Sequence, residues 1–151
     1  MSMHKIEYVL GFMFNDAKTK VVLIEKRKPK SQAGYLNGVG GKIETSDVDV
    51  HHLPSNNAMV REFREETGVR TAPDDWRHFS TLEGSDWIVY CFVAFNTLAV
   101  EHASTTTDEI VVKVPLIEIP KTKVLSNLHW LIPMSLDENM GNPYFIGHIF
   151  Y

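Results

Sequence analysis

Gly40-Gly41-Lys42-Ile43-Glu44 and, further along, Arg61-Glu62-Phe63-Arg64-Glu65-Glu66-Thr67-Gly68-Val69 are the stretches on which the reading of this chain turns. On a helix, at about 100° per residue, Glu62, Glu65 and Glu66 share roughly 100° of arc. Ala58 falls on the same arc and is small enough to leave it open. Met59, Val60, Phe63 and Thr67 take the adjoining arc and form an apolar face. One side of this helix is therefore core, and the side beside it is a cluster of carboxylates. Gly68 suits the position that ends the helix, and Val69 returns the chain to the core. Three carboxylates on one face repel one another. Hard divalent cations take oxygen ligands, and Mg²⁺ in particular binds a few carboxylates while keeping waters and substrate phosphates. The alternative is a solvated acidic face with Arg61 and Arg64 as intrahelical partners. The glycine pair upstream favours a site, because Gly40-Gly41 signals unusual backbone torsions or close backbone approach.

Together the two stretches resemble the Nudix box, G-x5-E-x7-R-E-U-x-E-E-x-G-U, where U is apolar. Arg61 to Val69 matches the second half at every specified position, and Gly41 to Asp47 matches the first half with Asp where the box has Glu. The spacer departs from the pattern. Residues 48 to 60 make thirteen where the box has seven. The six extra residues are placed in Val48 to Leu53, a polar loop read as a plain connection, the alternative being a part of the substrate rim with His51 or His52 near the phosphates or the leaving group. Pro54-Ser55-Asn56-Asn57 then reads as a helix start, with Ser55 or Asn56 as N-cap.

The 151 residues fit one domain, 1–151, with room for a sizeable core. A hydrophobic content of 44% and a charged content of 23% are ordinary for a globular protein. The net charge of −4 gives no electrostatic footprint for polymeric nucleic acid or an anionic membrane. No apolar run approaches the ~18 residues of a membrane span, and Met1 to Glu7 lacks a signal-peptide pattern. Cys91 is the only cysteine, so no internal disulfide forms, and it reads as a small core residue. A cytoplasmic setting is the simplest inference.

Strands are expected at Ile6 to Phe14, Lys20 to Glu25, Trp76 to Leu82, Trp87 to Asn96, Ile110 to Pro115 and Tyr144 to Tyr151. The unbroken run Val21-Val22-Leu23-Ile24 predicts burial on both faces. Helices are expected from Ser55 to Thr67 and from Leu125 to Met134, the second ending near Pro133. His102 to Asp108 reads as polar loop. The pattern is α+β, a mixed β-sheet flanked by helices, and the resemblance implies the same: a Nudix-type α/β/α sandwich.

The resemblance also implies a chemistry: Mg²⁺- or Mn²⁺-dependent hydrolysis of a nucleoside diphosphate linked to another group. In that reading Glu62, Glu65, Glu66 and the Gly41 carbonyl hold the metal, and Arg61 orients the glutamates. Glu109, just before the strand at Ile110, is the candidate general base; the alternative is that Asp108-Glu109 is a solvated loop pair. Glu44 packs against the helix or binds Lys42. Lys42 and Arg27 are candidate phosphate contacts. Leu36-Asn37-Gly38-Val39-Gly40-Gly41-Lys42-Ile43 is similar to the entry to the box in MutT-like oxidised-purine triphosphatases, which makes Asn37 a candidate base contact, although Asn before Gly also suits a turn. Near Val124 to Pro133 the chain lacks the stacking Trp and paired acids of that subfamily and offers Asn127 instead. Trp130 reads as core. The expected substrate is a nucleotide or nucleotide derivative, taken by a monomer or homodimer. The leading function is a MutT-like nucleoside triphosphate pyrophosphohydrolase. ADP-ribose, nucleotide sugars and dinucleoside polyphosphates are alternative substrates, though the Pro that often marks ADP-ribose hydrolases some fifteen residues past the box is absent. A non-catalytic nucleotide-binding module is the other alternative; degenerate members usually lose the box glutamates, which this chain keeps.

Overall fold

A computed structural model describes residues 4–141 and 145–151. Its centre is strand β1 (Ile6–Phe14), which runs parallel to β6 (Trp87–Phe95) along its whole length. On its other side β1 has two antiparallel partners. Met13 and Phe14 pair with Val22 and Val21 of β2 (Lys20–Glu25), and Tyr8 to Gly11 pair with β4 (Val39–Lys42). Beyond β2 lie β3 (Leu36–Asn37) and β7 (Ile110–Pro115). Beyond β6 lies β5 (Arg77–Glu83), and β8 (Gly147–Phe150) runs parallel to it. The result is one mixed eight-stranded sheet.

Helices cover both faces. Helix α1 (Pro54–Thr67) and α2 (Thr97–His102) pack on one face through Ala58, Met59, Phe63, Ala99 and Val100, and α3 (Leu128–Leu136) packs on the other through Leu128, Leu131 and Ile132. Val22 and Ile24 point to the first layer, Val21 and Leu23 to the second, and all four are buried. The apolar run of β2 is thus buried on both faces, as its composition predicts. Phe63 is fully buried edge-on against Trp76, with ring centroids 5.3 Å apart. Truncating such a ring costs about 3–5 kcal/mol. The architecture is the expected α+β sandwich. No helix among the described residues is long and apolar enough to cross a membrane.

Several boundaries differ from the sequence reading. Helix α1 begins at Pro54 with Leu53 as N-cap, and no side chain caps it. Proline at the first helical position supplies the right φ and has no N–H to satisfy. Ser55 and Asn56 therefore lie inside the first turn, where Asn56 donates its side-chain amide to the Pro73 and Trp76 carbonyls (3.1 and 3.2 Å). Ala58 is in the core rather than on the carboxylate arc. Helix α3 starts three residues late, at Leu128, and continues through Pro133 to Leu136. Helix α2 was not expected; Asn96 caps it, its side chain accepting the Ala99 N–H at 3.0 Å. Trp130 is partly exposed rather than core. The last strand is shorter than expected, and Tyr144 lies outside the described residues.

His78 sits half-buried on β5 beside a register shift in the ladder to β6, against the rings of Tyr90 and Phe92 (5.7 and 5.5 Å), with Thr81 Oγ1 at 2.9 Å. Burial pushes its pKa below the usual histidine value, and the Ser80 backbone works against that shift only in part. Between the lowered native value and the unfolded value of about 6.5, the unfolded chain holds more protons than the native one. The His78 contribution to stability is therefore full above about pH 6.5 and falls as the pH drops through that window. Because other groups titrate over the same range, the difference between two proteins is what is read: in thermal melts from about pH 7.5 to 5 the parent is expected to lose Tm relative to His78→Gln. An unchanged slope in the variant would remove His78 from this role.

Candidate active site

Glycine strand β4 fixes the site. A side chain at Gly40 would strike the Val9 carbonyl of β1, and one at Gly41 would strike the Glu62 carboxylate of α1. Without side chains, the strand lies close to both. Helix α1 ends as expected, with Gly68 left-handed (φ 78°) and its N–H donated to Arg64 O at 2.8 Å.

Arg61 is the hub on the outer side of this strand. Its Nε and Nη2 donate to the two Asp47 carboxylate oxygens at 2.9 and 3.0 Å, a bidentate pair. Nη2 also donates to the Lys42 carbonyl (2.9 Å), and Nη1 reaches Glu62 (2.9 Å) and Glu65 (3.2 Å). Glu44 lies 3.8 Å from Nη1, on the helix rather than on Lys42. Asp47 occupies the box position where the pattern has Glu, and it is buried. Burial pushes its carboxyl up, but the Arg61 guanidinium and the Glu44 N–H outweigh this and leave its pKa below the ordinary value. The same partnership raises the Arg61 pKa. The inserted residues start just after this pair. In them, Asp49 accepts the His51 and His52 N–H groups at 2.8 Å and the Asn57 side-chain amide at 2.9 Å.

The three glutamates do not share one environment. Glu62 is buried; burial raises its pKa and Arg61 pulls it down in part. Glu65 points outward, its side chain 56% exposed. Glu66 turns inward. Burial, then the charges of Glu62 and Glu109, push its pKa up to about 8, against the weaker pull of Lys26 and a Gly40 backbone hydrogen bond. Its Oε2 is buried with no hydrogen-bond partner. A buried orphan oxygen among like charges fits a hard cation, so the donor chemistry suits a divalent ion. The side chains as they stand are not converged on one point: no group of three or more His, Cys, Asp or Glu among the described residues is arranged to hold an ion.

Glu109 is brought to this cluster by the loop after α2. Ser104 donates its N–H to the Thr67 carbonyl, and Thr106 Oγ1 donates to the Glu65 carbonyl, which ties the loop to the end of α1. Glu109 accepts the Arg27 N–H at 2.9 Å and pairs with Lys26 at 3.4 Å. It is a held carboxylate, whereas Asp108 is exposed. Arg27 uses its Nε on the Asp108 carbonyl (3.1 Å) and so braces the loop.

A cavity of about 500 Å³ opens on the other side of the glycine strand. Gly40 and Gly41 form part of its wall, with Asn37, Asn127 and Lys26 around them. Its remaining lining includes Tyr8, Trp87 and Tyr151, which the sequence reading did not single out. The side chain of Asn37 accepts the Gly38 N–H at 2.9 Å, so its oxygen serves the turn while the residue also faces the cavity. The Lys42 and Arg27 side chains and residues 48–53 do not line this cavity. Lys26, missed beside Arg27, does. The signal for it was its position as the first residue after β2.

A helix bearing carboxylates lies against a glycine strand, with a cavity of about 500 Å³ beside it, on one mixed sheet covered by helices on both faces. The chain matches the NUDIX domain over residues 5–131 and belongs to the Nudix family of pyrophosphohydrolases. Nudix hydrolases act on nucleoside diphosphate derivatives and generally use divalent metal ions. Its fold is similar to the NUDIX domain of Shewanella oneidensis NrtR solved with ADP ribose (TM-score 0.67, 16% identity, 89% of this chain and 87% of that one). It is also similar to the MutT protein of Bacillus halodurans (TM-score 0.67, 15% identity, 97% and 90%). A NUDIX-family hydrolase from Clostridium perfringens gives a TM-score of 0.65 at 19% identity, over 89% and 98%. Among curated proteins no sequence matches.

The Arg61–Asp47 pair generates a stability prediction. Asp47→Asn removes the buried bidentate partner of Arg61, leaving Glu62 and Glu65 on Nη1 alone, and is expected to cost about 1.5–3 kcal/mol, measured by denaturant unfolding. A variant as stable as the parent would show that the pair does not anchor α1 to the glycine strand.

Proposed function

We propose that the protein is a Mg²⁺- or Mn²⁺-dependent nucleoside triphosphate pyrophosphohydrolase that releases a nucleoside monophosphate and pyrophosphate. One observation carries this reading: the nucleoside-sized cavity and the carboxylate cluster lie on opposite sides of one strand that has no side chains at Gly40 and Gly41. A nucleoside seated in the cavity leaves its phosphates at the edge of that strand, where the box glutamates stand.

Glu62, Glu65, Glu66 and the Gly41 carbonyl would hold the ion, with Arg61 keeping Glu62 in place. A bound divalent ion neutralises phosphate charge and acidifies a water. The chain's own residues do the rest. Glu109, held by the Arg27 N–H and Lys26, takes the proton from the attacking water. Water oxygen joins phosphorus as the anhydride P–O bond breaks, and the bonding pair leaves on the departing phosphate oxygen. Asn37 and Asn127 bind the nucleoside side of the substrate. Lys42 and Arg27 do not face the cavity, so any phosphate contact they make lies outside it; Lys26 is the cation placed to serve there. ADP-ribose is the second reading, supported by the similar NrtR domain with that molecule bound.

Two measurements test the proposal. Glu66→Gln is expected to lower kcat by roughly 10²-fold or more, the loss of a few kcal/mol of charge stabilisation. Glu65→Gln is expected to act in the same direction. In metal-free buffer Glu66→Gln should be at least as stable as the parent, because a crowded buried carboxyl is gone. Mg²⁺ should raise the Tm of the parent more than that of the variant. Equal Mg²⁺ shifts and equal kcat would move the metal elsewhere.

Glu109→Gln is expected to slow hydrolysis by roughly 10²- to 10⁴-fold with KM little changed. Full activity would transfer the role of base to Asp108 or a box glutamate. The same assays, run over nucleoside triphosphates, ADP-ribose, nucleotide sugars and dinucleoside polyphosphates with product identification, decide between the two readings.

A further inference from the structure

We propose that Tyr151 and Trp87 form an aromatic wall that makes this protein select substrates by a stacked nucleobase, with Tyr151 as the specificity residue. This rests on the reading of the cavity as the nucleoside site. Trp87 opens β6 and Tyr151 follows β8, two strands separated by β5. Their rings meet edge to face at 5.1 Å, and both line the cavity.

Both residues are held from behind. The Trp87 indole lies so close to Gly84 that a side chain there would strike it, and the Trp87 carbonyl accepts the Gly84 N–H at 2.9 Å. Tyr151 continues the sheet, donating its N–H to the Glu83 carbonyl at 2.8 Å. Its hydroxyl accepts the Asn127 side-chain amide at 3.3 Å. Yet Tyr151 remains 65% exposed. The chain thus fixes a large aromatic ring at a cavity mouth without burying it, which an inert core contact does not require.

The cavity has a second unmet need. Asn127 Oδ1 is shielded from water and has no hydrogen-bond partner. An unpaired buried acceptor is costly, and the N–H of a base edge would satisfy it. A flat ring against Trp87 and Tyr151, with one N–H toward Asn127, meets both conditions. A bare phosphate ester meets neither, and a sugar hydroxyl can meet only the second.

The test is direct binding, by calorimetry, of the four nucleoside monophosphates and of ribose 5-phosphate, which has the same phosphate and sugar without a base. The parent is expected to bind the nucleotides at least tenfold more tightly than ribose 5-phosphate. Loss of base stacking in Tyr151→Ala should weaken nucleotides by about 5- to 100-fold and leave ribose 5-phosphate unchanged. Tyr151→Phe keeps the ring and should lose less than about threefold; a loss as large as that of alanine would assign the effect to the hydroxyl and overturn the stacking wall. Equal affinity for nucleotides and ribose 5-phosphate, or nucleotide binding to Tyr151→Ala at the parental Kd, would also overturn it. Tyr151 is exposed enough for the alanine variant to fold, which a melting curve checks. Because binding is read without turnover, failure of the triphosphatase reading leaves this result intact and recognisable.

Discussion

Two carboxylates, Glu62 and Glu66, are forced inward against a strand that carries no side chains where they meet it. Burying an anion is expensive, and burying two beside each other is worse. The raised pKa values of both groups are the signature of that cost. The protein tolerates it because the surrounding structure leaves these side chains no other place. Phe63 and Met59 commit one face of α1 to the core, and the Arg61–Asp47 pair fixes how the helix lies across the glycine strand. What remains of the helix surface must face Gly40 and Gly41. The electrostatic strain is a consequence of packing, and in the proposed function a bound cation relieves it.

The spacer insertion is understandable on the same terms. Asp47 closes the turn after β4, and Arg61 reaches back to it from the second turn of α1. The chain between them is bridged at its base whatever its length. Loop-closure entropy grows only slowly with length, so six extra residues add well under ~1 kcal/mol. The loop is not left slack: Asp49 gathers the His51 and His52 N–H groups and Asn57. A box whose ends are tied by a bidentate ion pair can lengthen in the middle without moving its glutamates.

Local chemistry was legible in the sequence wherever one segment decided it. The buried run of β2, the apolar face of α1 and the glycine after it follow from periodicity and composition, and the structure has them. The start of α1 lies one residue before Ser55 because Pro54 has the helical φ and one fewer N–H to satisfy, which outweighs the side-chain capping that Ser55 or Asn56 offers. Helix α2 has six residues, too few for a 3.6-residue period to show, and only Asn96 hinted at it. Pro133 reads as a terminator, yet its missing N–H removes only the one bond to the carbonyl four residues upstream, and the helix runs on to Leu136. The carboxylate cluster is visible as a group in the sequence, but its division into two inward members and one outward member is not, because that depends on where β4 passes. Trp87 and Tyr151 were out of reach altogether. They are joined by parallel pairing of β5 with β8, and no local pattern announces such long-range contacts.

The glycine strand explains why these two kinds of environment can sit so close. The cavity side carries apolar and aromatic walls, and the helix side carries carboxylates. A strand with ordinary side chains would put a residue of one kind or the other into each, and would separate them by the thickness of both. Gly40 and Gly41 reduce the partition to bare backbone. The carboxylates approach one side and the cavity opens on the other, while the strand keeps its ladder to β1 through Val9 and Leu10. Any residue larger than glycine at position 41 displaces Glu62 directly. The spacing between the cavity and the carboxylate cluster is therefore set by the absence of two side chains.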